Sequence, residues 1–155
     1  MKLLGTNTSP YVRKVRLVLL EKHIPHDYVI DPPREPGSQV ARVNPLGRIP
    51  ALILDDETSV FDSPVIAEYV DTLNDNPILI PRNDAKARMR VKRWEALADG
   101  IMDSAVAVRT ESIHSVGARK DDADDSVIPV VLCAATYWVA NVGSVRASSI
   151  TLSSS

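Results

Sequence analysis

Ser9 followed by Pro10 stands between the apolar string Lys2-Leu3-Leu4-Gly5 and an amphipathic run that begins at Tyr11. A hydroxyl there sits at the start of a new helix, whose first amides have no partner within the helix. Such a place suits an anion or a thiolate. Two further strings, Arg48-Ile49-Pro50 and Phe61-Asp62-Ser63-Pro64, follow at spacings compatible with the same location. Together they describe a pocket for a small peptide. Taken singly, each has a plainer reading, since Ser-Pro is an ordinary helix start and Ile-Pro an ordinary strand entry.

The elements that must position these residues are legible in the periodicity. From Pro10 to His23 the apolar residues Val12, Val15, Val18 and Leu19 recur at steps of three and four, with Arg13, Lys14, Arg16, Glu21 and Lys22 on the other side. Ser9 is a good N-cap, Pro10 at the first helical position sacrifices no needed donor, and Pro25 ends the run. Tyr28-Val29-Ile30 reads as a second strand, and the three prolines and one glycine of Asp31–Ser38 read as an irregular connection with a helical turn near Gln39–Val43. Ala51–Leu54, a turn at Asp55-Asp56 and Ser59–Phe61 form a hairpin. Ser63-Pro64 repeats the cap signature before a helix faced by Ile66, Val70 and Leu73. The order βαβ then ββα makes a compact sheet with helices against it.

Asn74–Asn83 reads as a linker into a long helix whose apolar seam is Ala87, Val91, Trp94, Ala98, Ile101 and Ala105. Its basic residues come early (Lys86, Arg88, Arg90, Lys92, Arg93) and its acids Glu95, Asp99 and Asp103 late, against the helix dipole. The basic run has no interleaved aromatic platform and reads as a solvated face. After Glu111 the character changes: residues 112–155 hold nine serines, two leucines and no glutamate, so the earlier seam does not continue. Ser126–Val145 carries no charge over 20 residues, but Pro129, Asn141 and the preceding acidic run make it a poor membrane span and a better aggregation-prone segment.

Bulk properties narrow the classes. A formal net charge of -2 with 25% charged residues gives no field that would draw nucleic acid or an anionic membrane. The start Met1–Ser9 lacks the apolar core of a secretory signal, so a cytoplasmic location is expected. Cys133 is the single cysteine, which excludes an intramolecular disulfide or a CxxC pair, and the three histidines show no metal-ligand spacing.

Thr8-Ser9-Pro10-Tyr11-Val12-Arg13-Lys14-Val15-Arg16, Asn44-Pro45-Leu46-Gly47-Arg48-Ile49-Pro50 and Phe61-Asp62-Ser63-Pro64-Val65-Ile66-Ala67-Glu68-Tyr69, in this order, resemble the glutathione S-transferase family. Trp94-Glu95-Ala96-Leu97-Ala98-Asp99-Gly100 is similar to the first C-terminal-domain helix of its bacterial, serine-bearing branch. The resemblance runs from Met1 to about Glu111 and implies that the chain is truncated or frame-altered beyond it. It implies a thioredoxin-like α/β domain over 1–77, β-α-β-α-β-β-α, followed over 84–155 by an incomplete all-α domain with an atypical tail from about 112.

The resemblance also implies glutathione as co-substrate, with no metal. Ser9 would donate to its sulfur and favour the thiolate, which attacks a small electrophile. Ile49, before a cis Pro50, would pair its main chain with the cysteinyl unit. The γ-glutamyl carboxylate would lie at the Ser63 amide, and Asp62 would meet the γ-glutamyl ammonium. Asp99 and Asp103, four apart on one helix face, would line the substrate side. Tyr11 is a poorer sulfur donor than Ser9, and Arg34 lies in a loop that aligns too loosely to join the set. A homodimer is the family's habit, though the interface draws partly on helices this chain lacks. Two other functions stay open: a non-catalytic glutathione-binding or protein-interaction module, and a thiol-disulfide oxidoreductase, which would need a cysteine at or near Ser9.

Overall fold

The computed structural model describes residues 1–116, with side chains through 111. It divides into two compact units, Met1–Pro81 and the chain from Arg82 onward.

The first unit is built on a sheet of four strands, β1 (Lys2–Gly5), β2 (Asp27–Ile30), β3 (Ala51–Ile53) and β4 (Ser59–Val60), in the order β2-β1-β3-β4. β1 and β2 run parallel, with Leu3 beside Tyr28, whereas β3 runs antiparallel to both β1 and β4. Leu3, Leu4, Ala51 and Leu52 are fully buried, consistent with central strands covered on both faces. The helices α1 (Pro10–Glu21), α2 (Val40–Val43) and α3 (Ser63–Thr72) complete the thioredoxin-like order β-α-β-α-β-β-α that the resemblance implied.

α1 and α3 pack against each other, and α3 and α2 both contact β3. Val12, Val15, Val18 and Leu19 of α1 and Ile66, Ala67 and Val70 of α3 are buried to within 1%. Each large aliphatic chain so buried contributes roughly 1.5–3 kcal/mol relative to exposure. The predicted stripes are the observed core with one correction on each helix: Leu73, expected on the α3 face, is the C-cap of that helix and 41% exposed, and Lys14 and Lys22, expected on the solvent side of α1, are buried. One glycine matters here: a Cβ on Gly5 would lie 2.6 and 2.7 Å from the two γ-methyls of Val12. Glycine at the end of β1 is what lets the first turn of α1 lie so close to the sheet.

Boundaries differ in small ways from the sequence reading. β2 starts at Asp27, β3 and β4 each end one residue earlier than expected, and α1 ends at Glu21 with Lys22 as C-cap. The cap of α3 is Asp62 rather than Ser63: the Asp62 carbonyl accepts from Ile66 N–H at 2.9 Å, which puts Ser63 at the first helical position and Pro64 at the second. Asp caps as well as Ser, and Pro is tolerated through the first turn because those amides lack intrahelical partners.

The segment Asn74–Asn83, read as a linker, is strapped to the first unit up to Ile80. Lys22 Nζ donates to the carbonyls of Asp71 (2.9 Å), Asn74 (2.6 Å) and Pro77 (2.6 Å) and pairs with Asp71 Oδ1 at 3.1 Å. The same Asp71 carboxylate accepts from the amides of Leu79 (2.8 Å) and Ile80 (3.0 Å). Lys22 and Asp71 are both buried.

In the second unit α4 spans Ala85–Val116 and runs past Glu111, where the composition changes. Its buried stripe is Ala87, Val91, Glu95, Ala98 and Met102, while Trp94 and Ile101 are 40% and 38% exposed. The expected seam is thus corrected. The helix carries apolar residues on two faces, so periodicity alone does not say which is buried, and Glu95 joins the buried face because Lys92 three residues earlier pairs with it. The tail from 117, with Ser126–Val145 and Cys133, lies outside the described residues.

Candidate functional site

The register brings the three strings to one end of the sheet. Leu4 lies opposite Ala51, so the loop leaving β1 toward Ser9 meets the chain entering β3 from Ile49 and Pro50. Leu52 lies opposite Val60, so Phe61 and Asp62 leave β4 at that same end. The N-termini of α1 and α3 follow directly from these strand ends. Two helices thus start beside a length of extended main chain, with the orphan amides and the positive ends of both dipoles gathered there.

Ser9 caps α1 with extended backbone, its carbonyl accepting from Arg13 N–H at 3.1 Å and its Oγ from Val12 N–H at 3.3 Å. The cap uses a lone pair of the hydroxyl. Its proton therefore remains available for donation outward, and Ser9 is half-exposed.

Ile49 is half-buried and Pro50 buried, and the Ile49–Pro50 peptide is cis, as the resemblance implied. The turn before it is wired by a residue that sequence reading passed over as a functional support. Asn44, 1% exposed, donates from Nδ2 to the Arg48 carbonyl at 2.7 Å and accepts the Leu46 amide on Oδ1 at 3.0 Å. Gly47 sits at φ 61, a left-handed conformation that suits glycine. The signal was the Asn-Pro pair, a turn marker.

At the head of α3, Ser63 is buried and Asp62 exposed, and the Ser63 amide donates to Asp62 Oδ1. The amide expected to meet a ligand carboxylate is held by a carboxylate of the chain itself. Asp31, buried at the end of β2, donates its amide to the Gly5 carbonyl at 2.9 Å and accepts from Gln39 N–H at 2.9 Å, closing the loop that carries exposed Arg34. Asp99 and Asp103 stand one turn apart on α4, in the second unit.

Among the described residues no three His, Cys, Asp or Glu side chains are grouped to hold a metal. No described helix is long and apolar enough to cross a membrane.

Residues 8–73 match the family model for the glutathione S-transferase N-terminal domain. The chain is 40% identical over 122 residues to the uncharacterized GST-like protein YibF of Escherichia coli, covering 79% of this chain and 60% of that protein. Against glutathione S-transferase U2 of Arabidopsis thaliana the identity is 33%, over 64% of this chain and 44% of the relative. The chain thus spans about half the length of these relatives. Among solved structures, a glutathione S-transferase from Methylobacillus flagellatus with glutathione bound superposes with a TM-score of 0.69 at 45% identity, covering 90% of this chain and 67% of that one. A family member from Pseudomonas fluorescens Pf-5, also with glutathione bound, gives 0.63 at 34% identity over 90% and 68% of the two chains.

Proposed function

Because the chain belongs to the glutathione S-transferase family, we propose that it binds glutathione at the sheet end described above and conjugates its sulfur to a small electrophile. The observation that carries this reading is the convergence of Ser9, Ile49-Pro50 and Asp62-Ser63 on one end of the sheet.

Ser9 Oγ–H donates to the sulfur. That bond, with the α1 N-terminus beside it, favours thiolate over thiol. The thiolate sulfur attacks the electrophilic carbon and forms the C–S bond as the leaving group departs with its electron pair. The main chain of Ile49 pairs with the cysteinyl unit as a short strand addition. At α3 the γ-glutamyl carboxylate takes the Ser63 amide, while the displaced Asp62 carboxylate, exposed and therefore free to turn, meets the γ-glutamyl ammonium. Asp99 and Asp103 are assigned to the electrophile's side, to be tested by substitution against a panel of electrophiles. Thiol-disulfide exchange is disfavoured at this site because a serine forms no mixed disulfide.

Conjugation of glutathione to an aryl halide tests the proposal. A rate that collapses on Ser9→Ala supports it. Glutathione captured with no turnover favours the non-catalytic binding module instead, and no capture removes both.

A further inference from the structure

The loop Thr6–Thr8 that delivers Ser9 is held by side chains from α1. Arg13 Nε donates to the Asn7 carbonyl at 3.0 Å, and Arg16 Nη1 donates to Asn7 Oδ1 at 3.3 Å. Arg16 in turn lies over the Tyr28 ring, 4.4 Å from its centroid, so its guanidinium is seated on β2 by a cation–π contact. The chain of contacts runs from Tyr28 on strand β2 through Arg16 to Asn7, two residues before Ser9. The loop's own bonds are both longer than the Arg13 contact and no shorter than the Arg16 one: Ser9 N–H reaches the Thr6 carbonyl at 3.3 Å, and Ser9 Oγ holds the Val12 amide at 3.3 Å. Neither of these weak bonds fixes the direction in which the hydroxyl proton points.

From these contacts we infer that Arg13 and Arg16 are positioning residues for Ser9, clamping Asn7 through its carbonyl and its side chain so that the cap geometry, and with it the hydroxyl's aim at sulfur, is fixed before glutathione arrives. The inference rests on the proposed glutathione chemistry for its catalytic consequence, and on the clamp alone for its structural one. Arginine suits the task because a planar guanidinium can donate from one edge while stacking through its face. The apolar side of α1 does not need either residue, since the core stripe is Val12, Val15, Val18 and Leu19.

The test uses the full chain carrying Arg13→Gln with Arg16→Gln, and separately Asn7→Ala, which keeps both positive charges and removes only the side-chain acceptor. Amide hydrogen exchange is read at Ser9 and Val12, with Val15 and Leu19 as internal controls. Losing ordinary hydrogen bonds predicts exchange roughly three- to tenfold faster at Ser9 and Val12 in the double variant, less in Asn7→Ala, and unchanged at the controls. Unchanged exchange at Ser9 and Val12 overturns the clamp whatever the activity shows.

In parallel, the double variant should lower kcat for aryl-halide conjugation and raise the apparent pKa of bound glutathione, with KM for glutathione nearly unmoved. Asn7→Ala should shift that pKa in the same direction, which separates loop positioning from the loss of charge. Faster exchange with kcat and the pH profile both intact overturns the positioning role. A wild-type chain that gives no heat with glutathione defeats the functional proposal, while the exchange measurement still decides the clamp.

Discussion

Removing the ammonium of Lys22 should damage the first unit more than any surface change could. Lys22→Met keeps the stem length but takes from the buried Asp71 carboxylate, which also accepts from the amides of Leu79 and Ile80, the ammonium paired with it at 3.1 Å. It also strips a donor from the carbonyls of Asp71, Asn74 and Pro77. Breaking a buried pair from one side costs about 3–5 kcal/mol. The carbonyls add less than their nominal sum, because Asn74 is exposed and water can reach it. A loss of about 4 kcal/mol is a large part of the 5–15 kcal/mol that holds a typical domain, and at about 4–8 °C per kcal/mol it lowers Tm by roughly 15–30 °C.

Lys22→Met combined with Asp71→Asn should recover part of this loss. The amide oxygen can still accept from Leu79 or Ile80 while the buried charge is gone. Urea unfolding followed by circular dichroism reads all three proteins. A single variant within about 1 kcal/mol of wild type, or a double variant less stable than the single, would refute the electrostatic reasoning.

Gly5→Ala should destabilise by about 1–3 kcal/mol through collision with the Val12 methyls, and Val12→Ala in the same chain should relieve the collision, as thermal unfolding will show. Asn44→Ala should cost about 1–3 kcal/mol and weaken glutathione binding in calorimetry, because it frees the turn that presents Ile49. Asp56 lies in the β3–β4 turn, where the Thr58 amide, donating at 2.9 Å, holds its carboxyl below the usual carboxylate range. A depressed folded-state pKa contributes stability above the unfolded value and loses it as pH falls through the folded one. The turn should therefore loosen only in acid; an NMR titration should show this, and Asp56→Asn should remove the pH dependence.

Much of the first unit was legible because its signals are local. Ser9-Pro10 marks the start of α1 unambiguously, and the apolar residues at steps of three and four, Leu73 excepted, are the residues that the structure buries. The cap of α3 was misplaced by one because Asp62 and Ser63 are both competent caps, and only the Ile66 amide, reaching back to Asp62, decides between them. Lys22 and Asp71 were not legible as partners. They are 49 residues apart, and nothing local marks a lysine after a helix as one that folds inward. The same limit hid the buried side of α4, where Glu95 displaced Trp94 from the stripe. At the candidate site, Ser9, Ile49, Pro50, Asp62 and Ser63 could be named from strings, whereas Asn44 and the Asn7 clamp acquire meaning only from hydrogen bonds that cross the turns.

The central claim is that the Ser9 hydroxyl stabilises the thiolate of bound glutathione, and the ultraviolet absorbance of that thiolate, titrated against pH on the wild-type chain and on Ser9→Ala, tests it most directly. A hydrogen bond to a charged group is worth about 1.5–3 kcal/mol, so the substitution should raise the apparent pKa of bound glutathione by roughly one to two units while leaving it bound. Superimposable titration curves for the two proteins would contradict the claim.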